Sequence, residues 1–142
     1  MKYEFTYRVN LDDLDYMGIV GHAQWLLILQ RARIDLLEAL GLSYEFLAES
    51  GAAAVVRSVS IEFLAPAKHR DLIRVGIEAV ELTATSLLLR YVVSSAERKR
   101  FVACDLRLVF VAASGRPMRI PERLKTALEQ ATLNPKPTED RR

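Results

Sequence analysis

The sequence predicts an α+β fold in which a five-stranded antiparallel sheet wraps around one long central helix. Three observations carry that prediction. Five segments alternate apolar and polar residues with period two, the mark of half-buried strands. One segment, residues 22–40, repeats with helical period and is apolar over about half its girth, too broad for a helix that merely rests on a surface. The links between the later strands are too short for parallel crossovers, which need about a dozen residues or more.

The first element is a strand, because Tyr3, Phe5, Tyr7 and Val9 alternate with polar residues. A loop, "LDDLDYMGIVG", leads into the helix. On a helical wheel Gln24, Arg31, Asp35 and Glu38 share one narrow sector, while Trp25, Ile28, Leu29, Ala32, Leu36, Leu37, Ala39 and Leu40 spread over the broad apolar arc. The helix is therefore expected to be largely wrapped by other elements. Arg33 falls inside the apolar arc, where a guanidinium needs an anionic or carbonyl partner, from a loop acid or a neighbouring subunit. Gly41 is a good stop signal, since a left-handed C-terminal residue costs glycine little.

Four further strands are predicted at 55–64, 72–82, 86–95 and 101–111, all rich in Val, Ile, Leu and Phe. Pro66 and the run Lys68-His69-Arg70-Asp71 separate the first two, Thr83-Ala84-Thr85 the next, and Ala96-Glu97-Arg98-Lys99-Arg100 the last pair. The expected path is a meander. Ser114-Gly115 makes a turn, and a short helix begins at about Pro121, where proline suits the first turn. Residues 1–131 are expected to form one domain, and 132–142, with two prolines, mixed charge and little apolar content, a flexible tail.

Composition narrows the function classes. With 142 residues, 51% hydrophobic and 27% charged, the chain reads as a globular subunit rich enough in apolar surface to self-associate. The net charge of +2 and a single dense basic cluster, Arg98-Lys99-Arg100, give no stripe of the kind nucleic acid requires. One cysteine, Cys104, allows no intramolecular disulfide and points to a reducing compartment. It alternates with Val102 and Leu106 and reads as core. No signal-peptide core and no run of about 18 apolar residues are present, so a cytoplasmic protein without a membrane span is expected. His22 and His69 lie too far apart in sequence to suggest a metal site, and His69 sits in a charged turn that reads as surface. Ser58, Ser60 and Ser114 lack the Gly-x-Ser-x-Gly elbow, and no glycine loop cradles phosphate. No cofactor is implied.

The loop before the helix is where chemistry concentrates. Three acids, Asp12, Asp13 and Asp15, precede a helix start that carries partial positive charge on free N–H groups. Capping is the bland reading, but an N-cap lies immediately before its helix, and six residues separate Asp15 from His22. The same physics supports another use. Free N–H groups at a helix start, with Gly21 allowing close approach, can stabilise a carbonyl oxygen as it gains charge, while a carboxylate attacks it or activates a water. That is acyl transfer to water. His22 offers a backbone N–H under this reading, and its imidazole can equally be a polar first-turn group. Asp12 and Asp13 read as loop structure.

"DLDYMGIVGHAQWL", followed by Arg31-Ala32-Arg33, resembles the signature of the 4-hydroxybenzoyl-CoA thioesterase group of hotdog proteins, which includes the acyl-CoA thioesterases of the Tol-Pal cluster. "FLAPAKHRDLIRV" is similar to the family's Pro-Ala-x-x-x-Asp segment, and "GRPMRIPERL" to its Gly-x-Pro-x-x-Ile-Pro ending, so the likeness covers about residues 5 to 125. The resemblance implies the hotdog fold and hydrolysis of an acyl-CoA or aryl-CoA thioester. It puts the catalytic carboxylate on Asp15, the carbonyl-polarising backbone N–H on His22, and the acyl-site lining on Gly18, Ile19, Val20, Gly21 and Trp25. One sheet covers only one side of the central helix and the sheet's open edges invite pairing, so edge-to-edge assembly into a dimer or homotetramer is expected. The usual aromatic residue before the histidine is Gly21 here, Gln24 and Trp25 replace the usual Asn and aromatic, and Gln30 stands where many members carry Glu. The Thr83-Ala84-Thr85 turn lacks the basic residues some members use on CoA phosphates, leaving Arg57, Lys68, Arg90, Arg116 and Arg119 as candidates. An acyl-thioester hydratase or dehydratase and a non-catalytic acyl-thioester binding protein are the alternatives on the same fold.

Overall fold

The computed structural model describes residues 3–133. Tyr3–Arg8 forms β1 and a 3-10 turn, Leu11–Asp13, follows it. The central helix α1 is His22–Ala39, and a short helix, α2, is Tyr44–Glu49. The remaining strands are β2 (Ala53–Phe63), β3 (Leu72–Leu82), β4 (Ser86–Ser94) and β5 (Arg100–Val111), and α3 is Glu122–Leu133. All strand pairs are antiparallel, in the order β1-β3-β4-β5-β2.

That order corrects the meander. β2 pairs with β5, not with β3, so residues 64–71 cross from one side of the sheet towards the other. Eight residues reach roughly 26 Å when extended, enough to pass two strands spaced about 4.8 Å apart. A short link therefore did not force its two strands to be neighbours. The helix α2, absent from the expectations, is started by Ser43, whose hydroxyl accepts from Phe46 N at 3.2 Å. The helix α3 runs two residues past the expected domain boundary at 131, and the rest of the expected tail, 134–142, lies outside the described residues.

The core lies between α1 and the concave face of the sheet. Trp25, Ile28, Leu29, Ala32 and Leu36 are buried along one side of α1, against Ile73, Val75, Ile77, Leu89, Tyr91, Val93, Val102 and Leu106. Trp25 stacks on Phe101 with centroids 6.3 Å apart. Each fully buried side chain of this size contributes about 1.5–3 kcal/mol. Leu124 and Leu128 of α3 close one end.

The wrapping of α1 leaves a further apolar surface beside the apolar arc open. Leu26, Leu27 and Ile34 are 40%, 49% and 46% exposed, so one apolar face of the helix is open. The polar sector, by contrast, faces β1 and its loop. Tyr3 OH donates to Asp35, Arg31 Nη1 donates to Tyr7 OH at 3.1 Å, and Gln24 reaches Asp13. Arg33 Nη1 donates to the hydroxyl of buried Tyr91 at 3.0 Å, a phenol rather than the expected anion or carbonyl. Strand β2 departs most from the expected half-burial. Val55, Val56, Val59 and Phe63 are all 40% exposed or more, because β2 is an edge strand and among the described residues no helix packs broadly against it.

Candidate active site

The loop between β1 and α1 is a closed turn. Leu14 and Val20 form an antiparallel bridge, Asp15 N donates to Ile19 O at 2.8 Å, and Gly18 N donates to Asp15 O at 3.0 Å. Gly18, at φ +76°, supplies the left-handed turn that an L side chain would resist. Asp15 therefore sits at a fixed place, not on a floppy strand of loop. Its Oδ1 accepts from Met17 N at 2.8 Å, an Asx turn within its own loop. It does not cap α1.

The helix start is left open. Gly21 is the N-cap residue and offers no side-chain cap, and the first helical bond runs from Trp25 N to Gly21 O at 3.1 Å. Among the described residues the N–H groups of His22, Ala23 and Gln24 thus keep no protein acceptor. This is the partial positive charge the loop reading required. Asp15 lies beside it, for a Cβ built at Gly21 would stand 3.4 Å from Asp15 Cβ and 4.0 Å from its Oδ2.

Asp15, Ile19, Val20, His22 and Trp25 line one open cleft of about 410 Å³ together with Phe63, Leu64, Ala65 and Pro66. Its size lies within the usual range for small-molecule sites, about 300–1,000 Å³, and most of its lining is apolar around one carboxylate. These four residues, at and just after the end of β2, fall in the segment that resembles the family pattern, but the sequence did not mark them as site residues. They lie far along the chain from the loop, and only the crossing of residues 64–71 carries them to it. That crossing is itself tied to the loop through Val20 N, which donates to Ala67 O at 2.9 Å.

The basic candidates scatter. Lys68 follows the cleft-lining Pro66 by two residues and is exposed. Arg57 is the extra residue of a bulge, where the β2–β5 register shifts between Val56 and Ser58. Arg90 points away from the core between inward-facing Leu89 and Tyr91, pairs bidentately with Asp105 at 2.9 and 3.2 Å, and lines a separate cleft with Glu4, Arg74 and Glu78. It is not brought to the Asp15 cleft. Arg116 and Arg119 follow β5 past Val111, the residue paired with Ala53 at the opposite end of β2 from Phe63. Neither lines the cleft.

Asp13, which the sequence marks only as loop structure, ties that loop to α1. It is 3% exposed, and its carboxylate accepts from Tyr7 OH at 2.8 Å, Asn10 N at 2.8 Å and Gln24 Nε2 at 2.7 Å. Burial, helped by the hydrogen bond and charge of Asp13, pushes the Tyr7 phenol above its ordinary value, which keeps it a donor. Two signals were present, the tyrosine spacing of β1 and a polar sector on an otherwise apolar helix, but nothing in the sequence joins them. No group of His, Cys, Asp or Glu among the described residues is arranged to hold a metal ion.

Comparison with known proteins identifies the lineage. The sequence matches the thioesterase-like superfamily over residues 9–128. The chain belongs to that superfamily. The acyl-CoA thioester hydrolase YbgC of Escherichia coli is 26% identical over 129 residues, covering 90% of this chain and 96% of that protein. The Haemophilus influenzae acyl-CoA thioesterase YbgC is 33% identical over 87 residues, 61% of this chain and 64% of that one. A solved structure of a probable thioesterase from Bartonella henselae superposes with a TM-score of 0.79 at 26% identity, over 85% of this chain and 100% of that one. The 1,4-dihydroxy-2-naphthoyl-CoA thioesterase of Synechocystis superposes with a TM-score of 0.84 at 24% identity, over 90% and 96%, a likeness of fold. The fold is the hotdog fold that the loop motif implied, and no helix among the described residues is long and apolar enough to cross a membrane.

Proposed function

We propose that this thioesterase-superfamily protein hydrolyses an acyl-CoA thioester to the free acid and CoA. The observation that carries the reading is the Asp15 carboxylate beside an uncapped helix start in one largely apolar cleft. The identity to the E. coli acyl-CoA thioester hydrolase along 90% of the chain supports it. The thioester oxygen takes the backbone N–H groups of His22 and its neighbours, which strengthen their hold as the oxygen gains charge. The acyl group lies against Ile19, Val20, Trp25, Phe63 and Leu64.

Asp15 then has two routes. As nucleophile it forms a C–O bond to the carbonyl carbon, the C–S bond breaks, and CoA leaves as thiolate; water cleaves the anhydride, restoring the carboxylate and giving one proton to the thiolate and one to solvent. As general base it takes a proton from water, the water oxygen bonds to the carbonyl carbon, and the thiolate leaves with that proton. A single turnover in ¹⁸O-water, followed by mass analysis of the protein, separates them, since only water attack on the Asp15 carbonyl of the anhydride puts label into Asp15. Asp15→Asn tests both. Thiol release from a panel of acyl-CoAs is expected to fall by about 10²–10⁴-fold, and near-normal turnover would refute the mechanism.

The assembly is part of the same reading. The uncovered apolar residues of β2 and the open face of α1 at Leu26, Leu27 and Ile34 are surfaces a second copy would bury, and an unpaired edge strand invites pairing. Two copies joined along β2 by a two-fold axis set the Ala53 end of one strand beside the Phe63 end of the other. Arg116 and Arg119 of the partner subunit then approach the cleft, and with Lys68 and Arg57 they are the cations for the CoA phosphates. Sedimentation analysis distinguishes a dimer from a tetramer of such pairs. A cytoplasmic location fits the single, buried Cys104.

A further inference from the structure

Asp13 is the one charged side chain among the described residues that is fully buried, and hydrolysis at Asp15 makes no direct use of it. Its partners come from three places. Tyr7 belongs to β1, Asn10 to the turn after it, and Gln24 to the first turn of α1. A second tie runs through the backbone, where Gly21 N donates to Asp13 O at 3.3 Å. Arg31 joins the group through Tyr7 OH at 3.1 Å. Asp13 thus holds the helix start twice, its backbone oxygen at the N-cap and its carboxylate at the third residue, from a point two residues before Asp15.

All three side-chain and backbone groups that meet the Asp13 carboxylate are donors, and an ionised carboxylate accepts from all of them at once. A buried carboxylate is expensive unless it is hydrogen-bonded in this way, and charge-assisted bonds of about 2.7–2.9 Å are the strong kind. Nothing about packing requires a charge there. What a charge provides is a short, directional tie between the loop and α1, which packing of small loop residues would not.

We infer that Asp13 and Gln24 are a positioning pair, holding the open start of α1 in register with Asp15 so that the carboxylate and the helix N–H donors address the same carbonyl. The inference rests on the thioesterase reading. Neither residue touches the substrate; both act through the distance between Asp15 and the N–H groups of His22 and Ala23. A displacement of about 1 Å between such groups costs on the order of a hundredfold in rate.

The geometry gives a reciprocal test. Gln24→Glu sets two carboxylates against each other where Gln24 Nε2 now stands 2.7 Å from Asp13 Oδ1. Like charges that close share a proton, so the pair is relaxed only at low pH. Asp13→Asn combined with Gln24→Glu exchanges amide and carboxylate: the new amide donates to the new carboxylate, and its oxygen still accepts from Tyr7 and Asn10. For Gln24→Glu, kcat for thiol release at pH 8 is expected to fall about a hundredfold with KM within about threefold, and to recover partly below pH 6. The double variant is expected within about fivefold of wild type with no such acid recovery. Each is assayed well below its own melting midpoint, so unfolding does not enter the rate. A Gln24→Glu variant at wild-type kcat, or a double variant no better than Gln24→Glu, overturns the positioning role while an active wild type leaves the thioesterase reading intact. A wild type that releases no thiol from any acyl-CoA overturns that reading, and the inference with it.

Discussion

Gly21 gives the sharpest test of what shapes the acyl site. Its φ of −68° and ψ of 152° are extended backbone that any L residue adopts, so the chain does not need glycine there for its conformation. A Cβ would lie 3.4 Å from Asp15 Cβ and 4.0 Å from Asp15 Oδ2, ordinary contact distances, and would point at the carboxylate. For Gly21→Ala two small terms oppose each other. Alanine is a poorer N-cap than glycine by roughly 0.5–1 kcal/mol, and losing glycine's freedom in the unfolded chain returns about 0.4–1 kcal/mol. The net change lies within about 1 kcal/mol, a few degrees in melting midpoint. Gly21→Phe extends the same vector by a ring, into the space beside the reacting carbonyl. One added methylene against a tight wall changes specificity by about 10–200-fold, and a ring exceeds that. The assay is kcat/KM for thiol release across acetyl-, long-chain, branched and aryl-CoAs. Gly21→Ala should stay within about threefold of wild type throughout, while Gly21→Phe should lose branched and aryl substrates by a hundredfold or more relative to acetyl-CoA. A folded Gly21→Phe protein with the wild-type preference order would refute the argument that the space beside Asp15 admits the acyl group.

Two further outcomes follow from other parts of the molecule. Val59→Lys puts a charge on the 40% exposed edge of β2, and it should convert the assembly to monomers in sedimentation and lower kcat/KM about tenfold or more; an unchanged assembly excludes pairing along β2. Burial pushes the Cys104 thiol from an ordinary 9.0 up to about 11. The unfolded chain loses that proton from about pH 9, whereas the folded chain keeps it to about pH 11, so between them the unfolded state binds fewer protons and stability falls as pH rises, by about 3 kcal/mol in all. Urea midpoints at pH 8, 9.5 and 10.5 should fall less steeply for Cys104→Val than for wild type, and parallel slopes would exclude the thiol as a cause.

Most strands and the helix α1 were legible because their signals are local. Period-two runs put β3 at the expected residues 72–82, and Gly41, at φ +77°, stands just past the end of α1 as its stop signal implied. The motif around Asp15 was equally readable, since an acid, a left-handed glycine and a helix start occur within eight residues. What stayed hidden depends on contacts between distant segments. The partner of β2 is a choice between two strands of similar character, β3 and β5, and no residue in the link makes it. Helix α2 carries a Ser43 cap, but at six residues it is too short for its periodicity to stand out.

By itself the sequence determined an α+β chain with one broad apolar helix, four long strands after it, and an acid loop set before a helix start that carries no capping side chain. Only the tertiary structure decided that residues 64–71 cross the sheet to bring Phe63, Leu64, Ala65 and Pro66 to Asp15, and that Arg31 and Asp35 of the polar sector of α1 meet two tyrosines of β1. It also turned Asp13 from a loop residue into a buried anchor and sent Arg90 to the far face of the sheet. The physical reason is the same in each case. Periodicity and spacing fix what one segment can do alone, whereas a hydrogen bond or a cleft wall belongs to two segments, and which two meet is settled by how the whole core closes.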